Sequence, residues 1–181
     1  MGAKTVEPTV KTHKVPAGHS AKNAFDDFLL LLGRLNYSWT NTESLLIHLI
    51  AGLSRTDKET AIVIFLTLNT TRARIDLVQR LSKLDRVPQE ERDAVLDVTR
   101  TVQQLSGLRN RYNHCIYSFD NKSGDLSTIQ MRVADRKNRI KVGEMMPLDQ
   151  DALDGIQNSL DELASVNQSV WQVIHKYSYP V

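Results

Sequence analysis

The sequence predicts a mainly α-helical protein, a five-helix bundle with a small antiparallel β insertion before the last helix. Three observations carry this. Apolar residues recur at three- and four-residue spacing through most of the chain from Ser20 to Lys176. Between His114 and Pro147 that spacing gives way to alternation. The interval between the fourth and fifth helical runs is too long for a plain connection, so it holds structure of its own. With 181 residues, 41% of them hydrophobic, the chain can bury one core. The expected organisation is a flexible tail over residues 1–19, one helical domain over 20–177 with its β insertion at 116–143, and a C-terminal end at 178–181.

Ser20 is a helix-capping residue type, and Phe25, Phe28, Leu29, Leu32 and Leu35 repeat at helical spacing, giving a first helix over about 20–35. Gly33 lies near its end, and Asn36 and Ser38 suit the turn that follows. Thr40 and Glu43 fit a capping box ahead of a second helix over about 41–53, carried by Leu45, Leu46, Leu49 and Leu53. A long third helix is expected over about 57–84 on Ala61, Ile64, Phe65, Leu68, Ile75, Val78 and Leu81. Its first half is apolar on several faces, with Ile62, Val63 and Leu66, which suits the centre of a bundle. Asn69, Thr70 and Thr71 are poor helix formers, so a bend or break belongs there. Pro88 suits the first turn of a fourth helix, and Glu90, Glu91 and Asp93 complement its N-terminal dipole. Val95, Val98, Val102, Leu105 and Leu108 or Tyr112 form its buried stripe, which reaches about Asn113. Gly107 costs about 1 kcal/mol relative to alanine and either permits close packing or loosens the helix.

Ile116, Tyr117 and Phe119 predict a first strand. Ile129, Met131 and Val133 alternate with Gln130 and Arg132 in a second, and Ile140 and Val142 belong to a third. Turns are expected near Asn121–Asp125 and Asp135–Asn138. Pro147 ends the insertion, and Asp149 caps a last helix over about 150–176. Leu153, Ile156, Leu160, Leu163, Val170, Trp171 and Ile174 supply its apolar side.

The chain has 23 basic and 21 acidic side chains, a net charge of +2. This balance neither demands nor excludes nucleic acid, because a local patch can sit on a nearly neutral protein. Cys115 is the sole cysteine, which excludes an intrachain disulfide and a thiolate zinc cluster and suits a reducing cytoplasm. No stretch approaches the ~20 apolar residues of a membrane span. Met1 to Pro16 lacks the apolar run of a signal peptide. A cytoplasmic protein without a membrane partner is expected. The histidines (His13, His19, His48, His114 and His175) make no supported metal-binding pair, so neither metal nor cofactor is expected. His48, among apolar neighbours, reads as a packed or surface residue. Arg72 and Arg74 read as solvent-facing or salt-bridged.

The chain is organised around Leu105 to Cys115. Asn110 and His114 share one side of a helix at i and i+4, as do Arg109 and Asn113. Arg109 and His114 lie about 140° apart on an ideal helix, so one helix alone does not pair them. A two-fold axis would duplicate the patch and let Arg109 reach the partner's site, which points to a homodimer. Histidine moves protons near neutral pH. Arginine directs donors at a phosphoryl group. Asn110 is suited to orienting His114 or holding a phosphate oxygen. Tyr112 is either a core residue or a base-stacking ring. Arg111, Tyr112, Arg132, Arg136, Lys137, Arg139 and Lys141 are the candidate RNA contacts. The same insertion charges also serve as a solvated edge that resists aggregation. A purely structural network at a helix end explains the same letters around His114.

Arg109-Asn110-Arg111-Tyr112-Asn113-His114 resembles the motif of the HEPN superfamily, an arginine followed at short range by histidine, with a polar residue directly after the arginine. The helix order is also similar, and the resemblance covers about residues 20–176. It implies a largely helical homodimer whose motif lines a cleft between protomers. It further implies a metal-independent endoribonuclease. By that resemblance the ribose 2′-hydroxyl would attack the adjacent phosphodiester and leave a cyclic phosphate and a 5′-hydroxyl. His114 would handle protons, Arg109 would stabilise the phosphate and Asn110 would assist. Asn113 and Cys115 flank His114 where relatives often carry small residues. Many relatives are non-catalytic. Two alternatives therefore stand beside the enzyme: a non-catalytic HEPN-like RNA-binding or regulatory protein, and a structural helical dimer that binds a protein partner.

Overall fold

The structure, a computed structural model, describes residues 21–119, 125–136 and 139–181. Its elements are α1 (Ala21–Ser44), α2 (Leu46–Ser54), α3 (Lys58–Thr67), α4 (Thr71–Leu81), α5 (Gln89–Asn113), β1 (Cys115–Phe119), β2 (Leu126–Arg136), β3 (Arg139–Pro147) and α6 (Gln150–Lys176). The chain therefore has the predicted class, mainly helical with a three-stranded antiparallel sheet before the last helix. All five predicted helical runs are present, the third as two helices. The predicted tail at residues 1–19 lies outside the described residues.

The first helix runs past its predicted end. Asn36 Nδ2 donates to Leu32 O at 3.1 Å, and Thr42 Oγ1 donates to Ser38 O at 2.9 Å, so these polar side chains are satisfied inside the helix. Trp39, 1% exposed, anchors this stretch in the core, and α1 packs along α5 and α6. The Thr40–Glu43 capping box does not form, because both residues lie within α1. The boundary falls instead at Leu45, and α2 ends on Arg55 in the left-handed conformation, φ 58°.

The break in the third run falls where Asn69-Thr70-Thr71 placed it. Asp57 caps α3 by accepting from Thr60 N at 2.8 Å, and Thr70 caps α4 by accepting from Ala73 N at 3.1 Å. Arg74 Nε closes the gap by donating to Phe65 O of α3 and to the carbonyl of its C-cap, Leu68 O, at 3.1 and 3.0 Å. One expectation fails here. The first half of this run is not central, because α3 buries Ala61 and Phe65 while Val63 and Leu66 are 62% and 65% exposed. Its broad hydrophobicity faces partly outward.

Pro88 is the N-cap of α5, and Asp149 caps α6 by accepting from Ala152 N at 3.1 Å. The core runs between α1, α5 and α6 through Phe28, Leu35, Val102, Leu105, Ile156 and Leu163. It continues through α2 and α4 at Leu49, Ile50, Ile75 and Val78. The sheet order is β1-β2-β3, with Tyr117 opposite Thr128 and Thr128 opposite Met146. β2 continues through Asp135 and Arg136, which the sequence assigned to a turn, and Arg136 pairs with Arg139. Between the pairs Gln130–Glu144 and Val133–Val142, two residues of β2 oppose Gly143 alone. Gly143, on the strand facing the bulge, has φ 72°, a left-handed conformation that glycine adopts without a Cβ penalty.

Candidate functional site

The last turns of α5 carry the candidate residues, and α1 supplies their support. Arg109 Nη1 donates to Asn110 Oδ1 at 3.0 Å. With the Asn113 amide oxygen turned toward the guanidinium, Arg109 Nε and Nη2 donate to it at 2.8 and 3.2 Å. The amide nitrogen of Asn113 then donates to Asn36 Oδ1 of α1 at 3.0 Å. Arg109 Cζ also lies 5.9 Å from the Trp39 ring centroid, within cation–π range. These contacts hold the guanidinium plane and leave its remaining N–H donors for an outside acceptor.

Trp39 is itself held. Its Nε1 donates to Glu43 Oε2 at 3.2 Å. Glu43 Oε1 accepts from Thr71 Oγ1 at 2.6 Å and from Arg74 Nη1 at 3.0 Å. The Glu43 and Arg74 side chains are 11% and 18% exposed, so a largely buried ion pair ties α1 to α4. Arg74 Cζ also lies 4.0 Å from the Phe65 ring centroid. Arg72 pairs with Asp76 at 3.0 Å on the surface. Both arginines thus have the salt-bridged role read from the sequence.

His114 follows α5 as its C-cap, with φ −122° and ψ 31°, and its N–H donates to Asn110 O at 3.2 Å. Its imidazole is exposed. Asn110 directs its side-chain oxygen to Arg109 and not to His114. The structure therefore joins Arg109 to Asn110 and Asn113 through side chains, and His114 to Asn110 through the backbone.

Tyr112 takes the core alternative. It is 5% exposed, and its ring lies 6.2 Å from that of Phe28. Its carbonyl accepts from the Tyr117 hydroxyl and from Cys115 Sγ. Burial raises the pKa of the Tyr112 and Tyr117 phenols above the ordinary tyrosine value. Arg111 is exposed. Of the basic insertion, Arg132, Arg136, Arg139 and Lys141 are placed by the backbone of β2 and β3. Their side chains, and all of Lys137, lie outside the described residues. The tail histidines His13 and His19 lie outside them too.

Of the packed and surface alternatives left open for it, His48 takes the packed one. Its Nδ1–H donates to Pro180 O at 2.6 Å, and its ring lies 5.5 Å from Trp171. Among the described residues no group of three or more histidine, cysteine or acidic side chains is placed to hold a metal ion. No helix of the described residues is long and apolar enough to cross a membrane.

Sequence reasoning missed Asn36 and Trp39. Asn36 read as a turn residue, and Trp39 stood just outside both predicted helices. The signal for them was the buried-face spacing of Phe28, Leu35 and Trp39, which carries one helix past Gly33. Comparison with protein-family models, curated proteins and solved structures gives no match for this chain.

Proposed function

We propose that this chain is a HEPN-like, metal-independent endoribonuclease that works as a homodimer in a reducing cytoplasm. The observation that supports it is Arg109, whose guanidinium is held by Asn110, Asn113 and Trp39 just ahead of an exposed His114. In this reading Arg109 binds the phosphate undergoing attack, where a preoriented cation is most effective. His114 takes the proton of the attacking 2′-hydroxyl or returns one to the leaving 5′-oxygen. Asn110 keeps Arg109 in place. Arg111 and the insertion's Arg132, Arg136, Lys137, Arg139 and Lys141 gather the RNA backbone.

One observation favours a second reading, a non-catalytic RNA-binding, regulatory or partner-binding dimer of the same type. Asn110 is engaged with Arg109, so it does not orient His114. One experiment separates the readings. Purified native protein, His114→Ala and Arg109→Ala are incubated with varied RNAs. The enzyme predicts products with cyclic phosphate ends and a loss of about 100-fold or more in each variant. Equal cleavage by all three samples refutes it. Salt-dependent RNA retention without products supports the second reading. A strictly monomeric native protein in a solution mass measurement removes the two-chain site.

A further inference from the structure

A cavity of about 340 Å³ lies at the opposite end of α5 from Arg109. Glu91, which lines it, is eighteen residues ahead of Arg109, or ~27 Å along the helix axis. Arg55 and Thr56 after α2, Arg86 before α5, and Tyr177 and Ser178 after α6 form the rest of the polar lining.

Several features meet there and nowhere else in the described chain. Two arginines, Arg55 and Arg86, line the space. Among the described residues, the non-glycine residues with positive φ are Arg55 (58°) and Ser178 (53°), and both line it. A helix end of the Arg55 kind usually selects glycine, so arginine there keeps backbone strain in exchange for a side chain. The Tyr177 hydroxyl is buried and, beyond its interaction with the neighbouring Lys176 ammonium, meets no hydrogen-bond partner among the described residues. The Glu91 carboxylate is held at the wall by the Tyr179 hydroxyl, which donates to Oε1 at 2.5 Å.

The walls are firm. Tyr179 packs so closely on Gly52 that a Cβ there would lie 2.1 Å from the ring. His48 holds Pro180 O, and Arg86 Nη2 donates to Leu53 O at 2.9 Å, which fixes the guanidinium while leaving other donors.

We propose that this cavity binds a small phosphorylated amine. Two guanidinium charges match a phosphate monoester, which carries about −1.5 to −2 at neutral pH, better than a single carboxylate. Glu91 disfavours a bare anion and accepts from an amino group through the oxygen that Tyr179 leaves open. The ligand is therefore dipolar, with phosphate toward Arg55 and Arg86 and ammonium toward Glu91. None of these residues belongs to the ribonuclease reading, so the two proposals stand or fall separately.

Calorimetric titration of the full chain with O-phosphoethanolamine, inorganic phosphate and ethanolamine tests it. O-phosphoethanolamine is expected to bind at least about tenfold more tightly than inorganic phosphate, and ethanolamine not detectably. Arg55→Gly relaxes the left-handed turn and so keeps the fold, yet weakens O-phosphoethanolamine about tenfold or more. Arg86→Gln does the same, and Glu91→Gln abolishes the preference over inorganic phosphate. Absence of O-phosphoethanolamine binding to the native chain overturns the proposal. Affinity unchanged in both arginine variants also overturns it, and equal native affinity for inorganic phosphate removes the role given to Glu91.

Discussion

Gly52→Ala is a substitution for which local and tertiary reasoning give opposite signs. Gly52 sits in the last turn of α2, where alanine normally adds up to about 1 kcal/mol of helix stability. In this fold, however, an added Cβ would lie 2.1 Å from Tyr179 Cδ1 and 2.3 Å from Cγ. These atoms are at the near end of the ring, so the side chain clears the methyl only by leaving its site. Tyr179 is 7% exposed, and its hydroxyl donates to Glu91. Expelling the ring forfeits about 1.5–3 kcal/mol of burial and about 1.5–3 kcal/mol for a hydrogen bond to a charged group. After subtracting the helix gain, the net loss is about 2–5 kcal/mol. Urea unfolding followed by circular dichroism measures it on native, Gly52→Ala, Tyr179→Ala and doubly substituted protein. In the Tyr179→Ala background the glycine substitution should be neutral or stabilising, a coupling of about 2 kcal/mol or more. If Gly52→Ala alone is as stable as the native protein, the packing reasoning is wrong.

Two further predictions concern the core and the phenols. Glu43→Ala removes the acceptor shared by Trp39, Thr71 and Arg74 and strands a largely buried guanidinium, so it should cost about 3–5 kcal/mol in urea unfolding. Glu43→Gln, which keeps an acceptor for Thr71, should cost less; a near-native Glu43→Ala protein would show that the pair is effectively solvated. Tyr112, Tyr117 and Tyr179 all have raised pKa values, chiefly through burial. Their folded values exceed the unfolded value of about 10, so their contribution is complete below pH ~10 and is lost as pH rises above it. Alkaline titration should therefore show tyrosinate absorbance from these residues rising together with loss of helical ellipticity. Full ionisation of all tyrosines in a chain that keeps its native circular dichroism would contradict the burial.

The helical class was legible because burial at three- and four-residue spacing is a property of the sequence itself. The break at Asn69–Thr71 was legible for the same kind of reason, since those residues lose more than others by being helical. The boundary between the first two helices was misread. Asn36 and Ser38 look like a turn in isolation, but Asn36 bonds back to Leu32 O and Trp39 fills the core. Local propensity yields there to a buried indole. The same limit applies to the candidate site. Arg109, Asn110 and His114 lie within one short stretch and were read together. Their support comes from Asn36, 77 positions before Asn113, and from Trp39 beside it, a juxtaposition that only the packing of α1 on α5 creates. His48 was read as packed or surface; what makes it packed is Pro180 O, an equally remote partner.

The position of His114 has a mechanical consequence. Arg109 is clamped to the bundle by Asn113 and Asn36, and Trp39 backs it. His114 is the residue at which α5 passes into β1, and the sheet beyond is tied to the bundle on that side through Tyr117 against Phe28 and Tyr112. His114 is thus pinned on both flanks, by its own N–H to Asn110 O on the helix side and by Tyr117 on the strand side, while its imidazole stays exposed. Any displacement of the sheet relative to α5 must first break the Tyr117 contacts, so the backbone at His114 keeps its place as long as that ring stays packed.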